Sequence, residues 1–343
     1  MTAWPFPPPL TPMEARVQDD LPRGDWAYEP KWDGFRAVAW SGEVRLDSRN
    51  HRPLLRYFPE LEASLRVLPA GTVVDGEVVV VVQGDRLDFD TLQNRLHPAA
   101  SRVARLADET PATLVAFDLL ADRGEDLRPV PFAERRLRLE RLVAGLPTPW
   151  ALTPSTTDRE TARRWFAEFE AAGCDGIVAK RLTGPYAEGK RDMVKVKHRR
   201  TVDCVVGGYR MLDDGTGLGS VLLGLYDEAG RLHFIGHCSG FPEKDRAALA
   251  EQFARIRSED SFGAEGEVRR PGAESRWSAG KDLSWTPVAP GVVAEVSYDQ
   301  LTGVRFRHAT RFERWRLDKD AAACTLDQLE RPSGPGFSAM VAR

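Results

Sequence analysis

The pattern of hydrophobic and polar positions divides the chain into two textures that meet near residue 200. In the first, residues 26–31 and 35–40 predict short strands on either side of Asp33-Gly34. The runs TVVDGEVVVVV (72–82) and TLVAFDLL (113–120) are β-branched and apolar enough for buried strands. Residues 131–145 and 158–172 have helical spacing, with Thr157-Asp158 as an N-cap and Gly173 as a stop. Strands return at 174–180 and 193–197, and the Pro-rich residues 1–24 predict an extended strap.

The second texture is a series of short strands at 202–209, 220–226, 231–238 and 292–298, interrupted by one helix over 242–257. Short strands around a single helix predict a small Greek-key barrel of the OB type. The boundary falls near 198–201. The tail, 320–343, ends in a Pro/Gly/Ser stretch and is expected to fray.

Composition adds little to this division. The chain has 343 residues, enough for two domains with cores of their own. Its four cysteines, Cys174, Cys204, Cys238 and Cys324, form no CxxC pair, which argues against a zinc ribbon and for a reducing compartment. Neither a signal-peptide pattern nor an apolar run approaching 18 residues is present, so a cytoplasmic protein without membrane contact is expected. The net charge of −3 is not that of a strongly basic nucleic-acid binder. Its distribution matters more: basic residues gather at 189–200 (GKRDMVKVKHRR) and 305–319 (RFRHATRFERWRLDK). A basic face on a near-neutral chain suits contact with phosphates.

Five short segments carry the candidate chemistry. Lys31-Trp32-Asp33-Gly34 sets a lysine beside a tight turn between apolar strands, where desolvation can help an amine shed its proton; it also reads as a solvated hairpin. Glu77 lies in a run of valines, and a buried carboxylate needs a partner such as a ribose hydroxyl. Phe117, at the end of a buried strand, reads as a core aromatic or as a ring for a purine to stack on. Asp175 and Lys180 lie at the two ends of one strand. In Val194-Lys195-Val196-Lys197 the period of two turns both lysines to one face. They form either a phosphate clamp or the guard of an edge strand.

Taken in order, these segments resemble the covalent nucleotidyltransferase superfamily of ligases and capping enzymes. The matching motifs are KWDGFR (31–36), SRN (48–50), DGE (75–77), FD (117–118), DGIVAK (175–180) and VKVK (194–197), with an Arg-rich segment ending in Asp318-Lys319. The resemblance covers roughly residues 20–320 and is strongest to small ATP-dependent DNA ligases of the actinobacterial LigC type. It implies an α+β chain: an ATP-grasp-like nucleotidyltransferase domain of antiparallel sheets over 1–200, an OB-fold barrel over 201–320 and a tail over 321–343. The implied activity is sealing of nicks in double-stranded DNA during repair, by a monomer, with ATP and magnesium (or manganese). An RNA ligase, a capping guanylyltransferase and a non-catalytic OB-fold nucleic-acid binder are the alternatives.

Residue by residue, the resemblance makes Lys31 the nucleophile that takes up AMP. Glu29 would read the adenine amine, Glu77 the ribose and Phe117 the adenine face. Arg36 would lie near the ribose and the nick phosphate, and Arg49 and Arg191 on phosphates. Lys195 and Lys197 would neutralise the α-phosphate. Asp175 and Glu77 would serve magnesium, although many relatives have glutamate where Asp175 stands. Asp318 and Lys319 align in the last motif. An extra residue there leaves open which of Arg307, Arg311, Arg314 and Arg316 meets the β- and γ-phosphates.

Overall fold

The computed structural model describes residues 4–82, 85–97, 99–259, 261–263, 270–272, 284–329 and 334–341. The chain forms two compact units, Arg199–Glu330 and the remainder, so it passes between them twice.

The first unit is built on two sheets. One has the order β1 (Ala15–Val17), β9 (Met193–Lys197), β8 (Gly176–Arg181), β2 (Trp26–Pro30). The other has the path β4 (Arg45–Ser48), β3 (Phe35–Trp40), β5 (Val73–Val82), β6 (Ala112–Asp122), with β7 (Trp150–Leu152) parallel to β6. Two-residue strands at Arg86–Leu87 and Glu125–Asp126 complete it. Helices α1 (Leu61–Arg66), α2 (Phe89–Asn94), α3 (Ala100–Glu109), α4 (Phe132–Val143) and α5 (Arg159–Glu168) surround them. The valine run of β5 is buried because the strand is central, with β3 on one side and β6 on the other.

Two of the alternative readings fail here. Strands β2 and β3 are not a hairpin: they belong to different sheets, and Asp33-Gly34 carries the chain from one to the other. The glycine is required there, since a Cβ at Gly34 would sit 2.3 Å from the Val78 carbonyl oxygen. Nor is β9 an edge strand, because β1 pairs with it on one side and β8 on the other. Its alternation is as read: Val194 and Val196 are buried, while Lys195 and Lys197 are half-buried on the opposite face.

The second unit is an antiparallel sheet with the path β12 (Leu232–Cys238), β11 (Leu218–Tyr226), β10 (Arg200–Met211), β13 (Val293–Tyr298), β14 (Arg311–Trp315). A parallel bridge between Cys238 and Thr310 joins its two outer strands and closes the barrel. The helix predicted over 242–257 forms as a 3₁₀ turn, Glu243–Asp245, leading into α6 (Arg246–Arg255).

The tail does not fray as expected. Residues up to Leu329 complete the second unit, with Cys324 fully buried. Residues 334–341 return to the first unit as a short helix, α7 (Phe337–Met340), with Phe337 and Met340 buried. Apolar residues at the end of the chain found a groove to fill, and that outweighs the glycines and prolines before them. Residues 330–333 and 342–343 of the tail lie outside the described residues.

Candidate active site

Lys31 lies where β2 ends, and its backbone is fixed from both sides. Its N–H donates to the Gly176 carbonyl at 2.8 Å, and its carbonyl accepts from the Asp175 N–H at 2.9 Å. The side chain borders a cavity of about 600 Å³ in the first unit, whose walls include Glu29, Arg36, Arg49, Glu77, Phe117, Arg191 and Lys195. The structure thus brings seven of the residues picked from the sequence, together with Lys31, to one cavity. The strap contributes Met13 to Val17 to the same wall, which its weak pattern did not signal.

Lys31 Nζ donates to Asp175 at 2.7 Å, and Lys197 Nζ lies 3.6 Å from the same carboxylate. Burial works against the Lys31 charge, but Asp175, with Glu77 and Asp33 beyond it, outweighs burial and raises the ammonium above its ordinary range. The expected desolvated lysine is therefore an ion-paired one, because its neighbour is a carboxylate rather than a cation. Lys195 is different. Burial, then Lys197, Lys31 and Arg49, lower its affinity for a proton.

The cavity floor is ionic. Glu29, almost fully buried, accepts from Lys180 at 2.8 Å and from Arg136 at 3.4 Å. Burial still pushes its carboxyl above the usual range, against the pull of those two cations. Lys180 also donates to the Phe117 carbonyl at 2.7 Å and lies 4.6 Å from the centre of the Phe117 ring. The Arg36 guanidinium lies at the same distance from that ring. Two cations on its quadrupole leave Phe117 polarised as well as apolar. Arg36 is in turn gripped by both oxygens of buried Asp75 at 2.6 Å, and Tyr186 donates to Asp75 at 2.6 Å.

Glu77 faces Arg36 across the β3–β5 register. Burial pushes its carboxyl up to about 7, with Arg36 and Lys31 pulling the other way. A carboxyl whose folded pKa is raised binds its proton more tightly in the folded state, so its stabilisation is lost as pH climbs from about 4.5 to about 7. Glu77→Gln removes that loss. In metal-free buffer the variant is expected to melt close to the parent at pH 5 and several degrees above it at pH 8, for a ceiling of about 3 kcal/mol. A melting-temperature series across that range checks it, and equal melting at pH 8 would refute the assignment.

Among the described residues no group of three or more His, Cys, Asp or Glu side chains could hold a metal ion by itself. Asp175 and Glu77 are nevertheless hard oxygen donors beside Lys31. Magnesium commonly takes one or two carboxylates plus waters and substrate phosphates. The pair fits that ion.

The last motif belongs to the second unit. There Arg316 donates to both oxygens of Asp203 at 2.9 Å and to Asp318 at 2.9 Å, which holds the Asp318 carboxyl down to about 2. Arg314 pairs with Glu295 at 2.6 Å, Lys319 lies 3.7 Å from Asp203, and Arg307 donates to Gln300. Arg311 is exposed at the start of β14. Arg314 and Arg316 are thus engaged by carboxylates of their own unit. Sequence reasoning gave no role to Arg136; it lies on a highly charged helix that reads as a surface one, and nothing in that pattern marks it as pointing inward.

Comparisons with known proteins place the chain in a family. A family model described as "ATP dependent DNA ligase domain" matches residues 11–197, and "ATP dependent DNA ligase C terminal region" matches 214–319. The chain is 48% identical to DNA ligase C2 of Mycolicibacterium smegmatis over 342 residues, covering 96% of each. It is 46% identical to DNA ligase C of Mycobacterium tuberculosis, covering 98% of each. A solved structure from work on Lig E DNA ligases shares the fold, with a TM-score of 0.56 at 18% identity over 89% of this chain and 99% of that one. The chain belongs to the ATP-dependent DNA ligases, among those of the C type.

Proposed function

We propose that the cavity beside Lys31 carries the nucleotide-transfer step of ligation. Once its proton has left, the Lys31 amine attacks the α-phosphorus of ATP; the new N–P bond forms as the bond to pyrophosphate breaks. AMP then passes to the 5′-phosphate of a nick in duplex DNA, and the 3′-hydroxyl displaces it. The observation that carries this reading is the joint lining of one cavity by Lys31, six further cations, three carboxylates and the rings of Trp32 and Phe117. Transfer of a phosphoryl-type group is catalysed mainly by positioning and charge neutralisation, which such a lining supplies.

Phe117 offers a face to adenine, Glu29 an acceptor for its amine and Glu77 one for the ribose. Lys195 and Lys197 neutralise the α-phosphate. Arg36, Arg49 and Arg191 receive phosphates of the nick, and exposed Arg16 at the same rim can add to them. Arg307, Arg311, Asp318 and Lys319 act on ATP from the second unit, with exposed Arg311 the best candidate for the outer phosphates. Magnesium, held by Asp175 and Glu77, would supply charge neutralisation at the phosphates. The protein works as a monomer in the bacterial cytoplasm, at the nucleoid during repair. No helix among the described residues is long and apolar enough to cross a membrane.

A pulse and chase tests the sequence of steps. The protein is labelled with α-labelled ATP and magnesium, freed of nucleotide and given nicked duplex DNA. The label should leave the protein, pass through a DNA-adenylate and end as free AMP as the nick closes. A duplex lacking the 5′-phosphate should leave the protein labelled. Loss of label to that duplex would contradict the proposal.

A further inference from the structure

The end of the chain packs against the residue that follows Lys31. The Phe337 ring meets the Trp32 ring edge-on, with centroids 5.6 Å apart and planes at 69°. Both rings, with Met340, belong to one buried cluster that also holds Val115 and Phe117. Trp32 is otherwise tied by its indole N–H, which donates to Thr153 Oγ1 at 2.9 Å. The tail therefore closes the back of the wall whose front carries Lys31 and Phe117.

The docking is built rather than incidental. Asp85 holds the start of α7 at three points. Its carbonyl accepts from the Phe337 N–H at 2.6 Å, and its carboxylate accepts from the Ser338 N–H at 2.9 Å and the Ser338 hydroxyl at 2.8 Å. Asp85 itself has φ +57°, a left-handed backbone uncommon for a residue with a side chain. Two glycines on the approach to α7 stand where a side chain would crowd its neighbours. A Cβ at Gly334 would lie 2.4 Å from the Glu168 carbonyl oxygen, and one at Gly336 2.5 Å from the Asp85 carboxylate.

We propose that residues 334–341 are a positioning element of the adenylation site: Phe337, locked by the Asp85–Ser338 grip, fixes Trp32 and so sets where the Lys31 amine points. This rests on Lys31 being the nucleophile. Misplacing a reacting atom by about 1 Å can cost on the order of 100-fold, so a modest slackening behind Trp32 is enough to be measured. Phe337 touches no substrate and acts only through its neighbour.

The test uses the full chain and three variants: Phe337→Ala, Phe337→Leu and Ser338→Asp. The last sets a second carboxylate against Asp85 and leaves the Trp32 cluster untouched. Self-adenylation is followed over a range of ATP concentrations, alongside sealing of a nick that already carries AMP, a step for which Lys31 is not the nucleophile. Phe337→Ala and Ser338→Asp should slow adenylation at saturating ATP about tenfold, with the ATP concentration for half-maximal rate within about twofold of the parent. Both should seal pre-adenylated nicks within about twofold of the parent rate. Phe337→Leu, which refills the groove, should recover most of the loss. Parent-like adenylation in Phe337→Ala and Ser338→Asp would overturn the proposal. So would a parallel fall in both activities, which marks a general structural role. If the parent is not labelled on Lys31, the reading of the nucleophile fails instead.

Discussion

Lys31→Ala is expected to reduce covalent labelling by α-labelled ATP to background, a loss on the order of 10⁴-fold or about 5–6 kcal/mol of barrier. The size follows from the step itself. Without the amine no N–P bond forms, and a methyl group offers no substitute. Lys31→Arg is expected to fail equally, because a guanidinium stays protonated at any working pH and has no lone pair to offer. Asp175 would tolerate either cation, so the arginine variant should fold and still bind ATP. A denaturing gel after incubation with labelled ATP and magnesium reads the first result, and retention of labelled ATP on the folded protein reads the second. A labelled band in Lys31→Ala would move the nucleophile elsewhere. The same two variants should still seal a nick that already carries AMP, since that displacement is made by the 3′-hydroxyl.

The order of the short motifs, and the family they resemble, gathered these residues; strand periodicity made several of them legible on their own. Glu77 and Phe117 sit in valine- and leucine-rich strands, and Lys195 alternates with buried valines. The period of a strand then dictates which residues share a face. What a linear reading could not supply was which strands pair. Asp33-Gly34 reads as a hairpin turn because two short strands flank it; only the tertiary structure reveals that they join different sheets. The buried arginines were hidden for a related reason. Helix α4 is so highly charged that it reads as a surface helix, yet Arg135 is fully buried against Asp118 and Arg136 reaches Glu29. Long side chains can carry charge inward when a buried carboxylate waits for them, and that partner lies on another element. The tail was misread because its composition suits a frayed end, while the groove that receives it is assembled from residues far away in sequence.

Lys195→Ala is expected to separate stability from activity in opposite directions. Burial and three nearby cations lower the proton affinity of Lys195, so its charge is held at a cost when no anion faces it. Its strand does not need it: β9 is anchored by buried Val194 and Val196 and by pairing on both sides. Removing the ammonium should therefore leave the melting temperature unchanged or slightly higher. The same charge is what the cavity offers to a phosphate, and removing a single preorganised charge partner of a reacting group costs on the order of 10²–10³-fold. Adenylation at saturating ATP should fall by about that factor, and Lys195→Arg should recover only part of it, because a planar fork cannot take the place of a compact point charge. Single-turnover labelling and a thermal melt on the same preparation decide the matter. A variant that melts well below the parent would make Lys195 a structural residue. One that labels at the parent rate would remove it from the phosphate site.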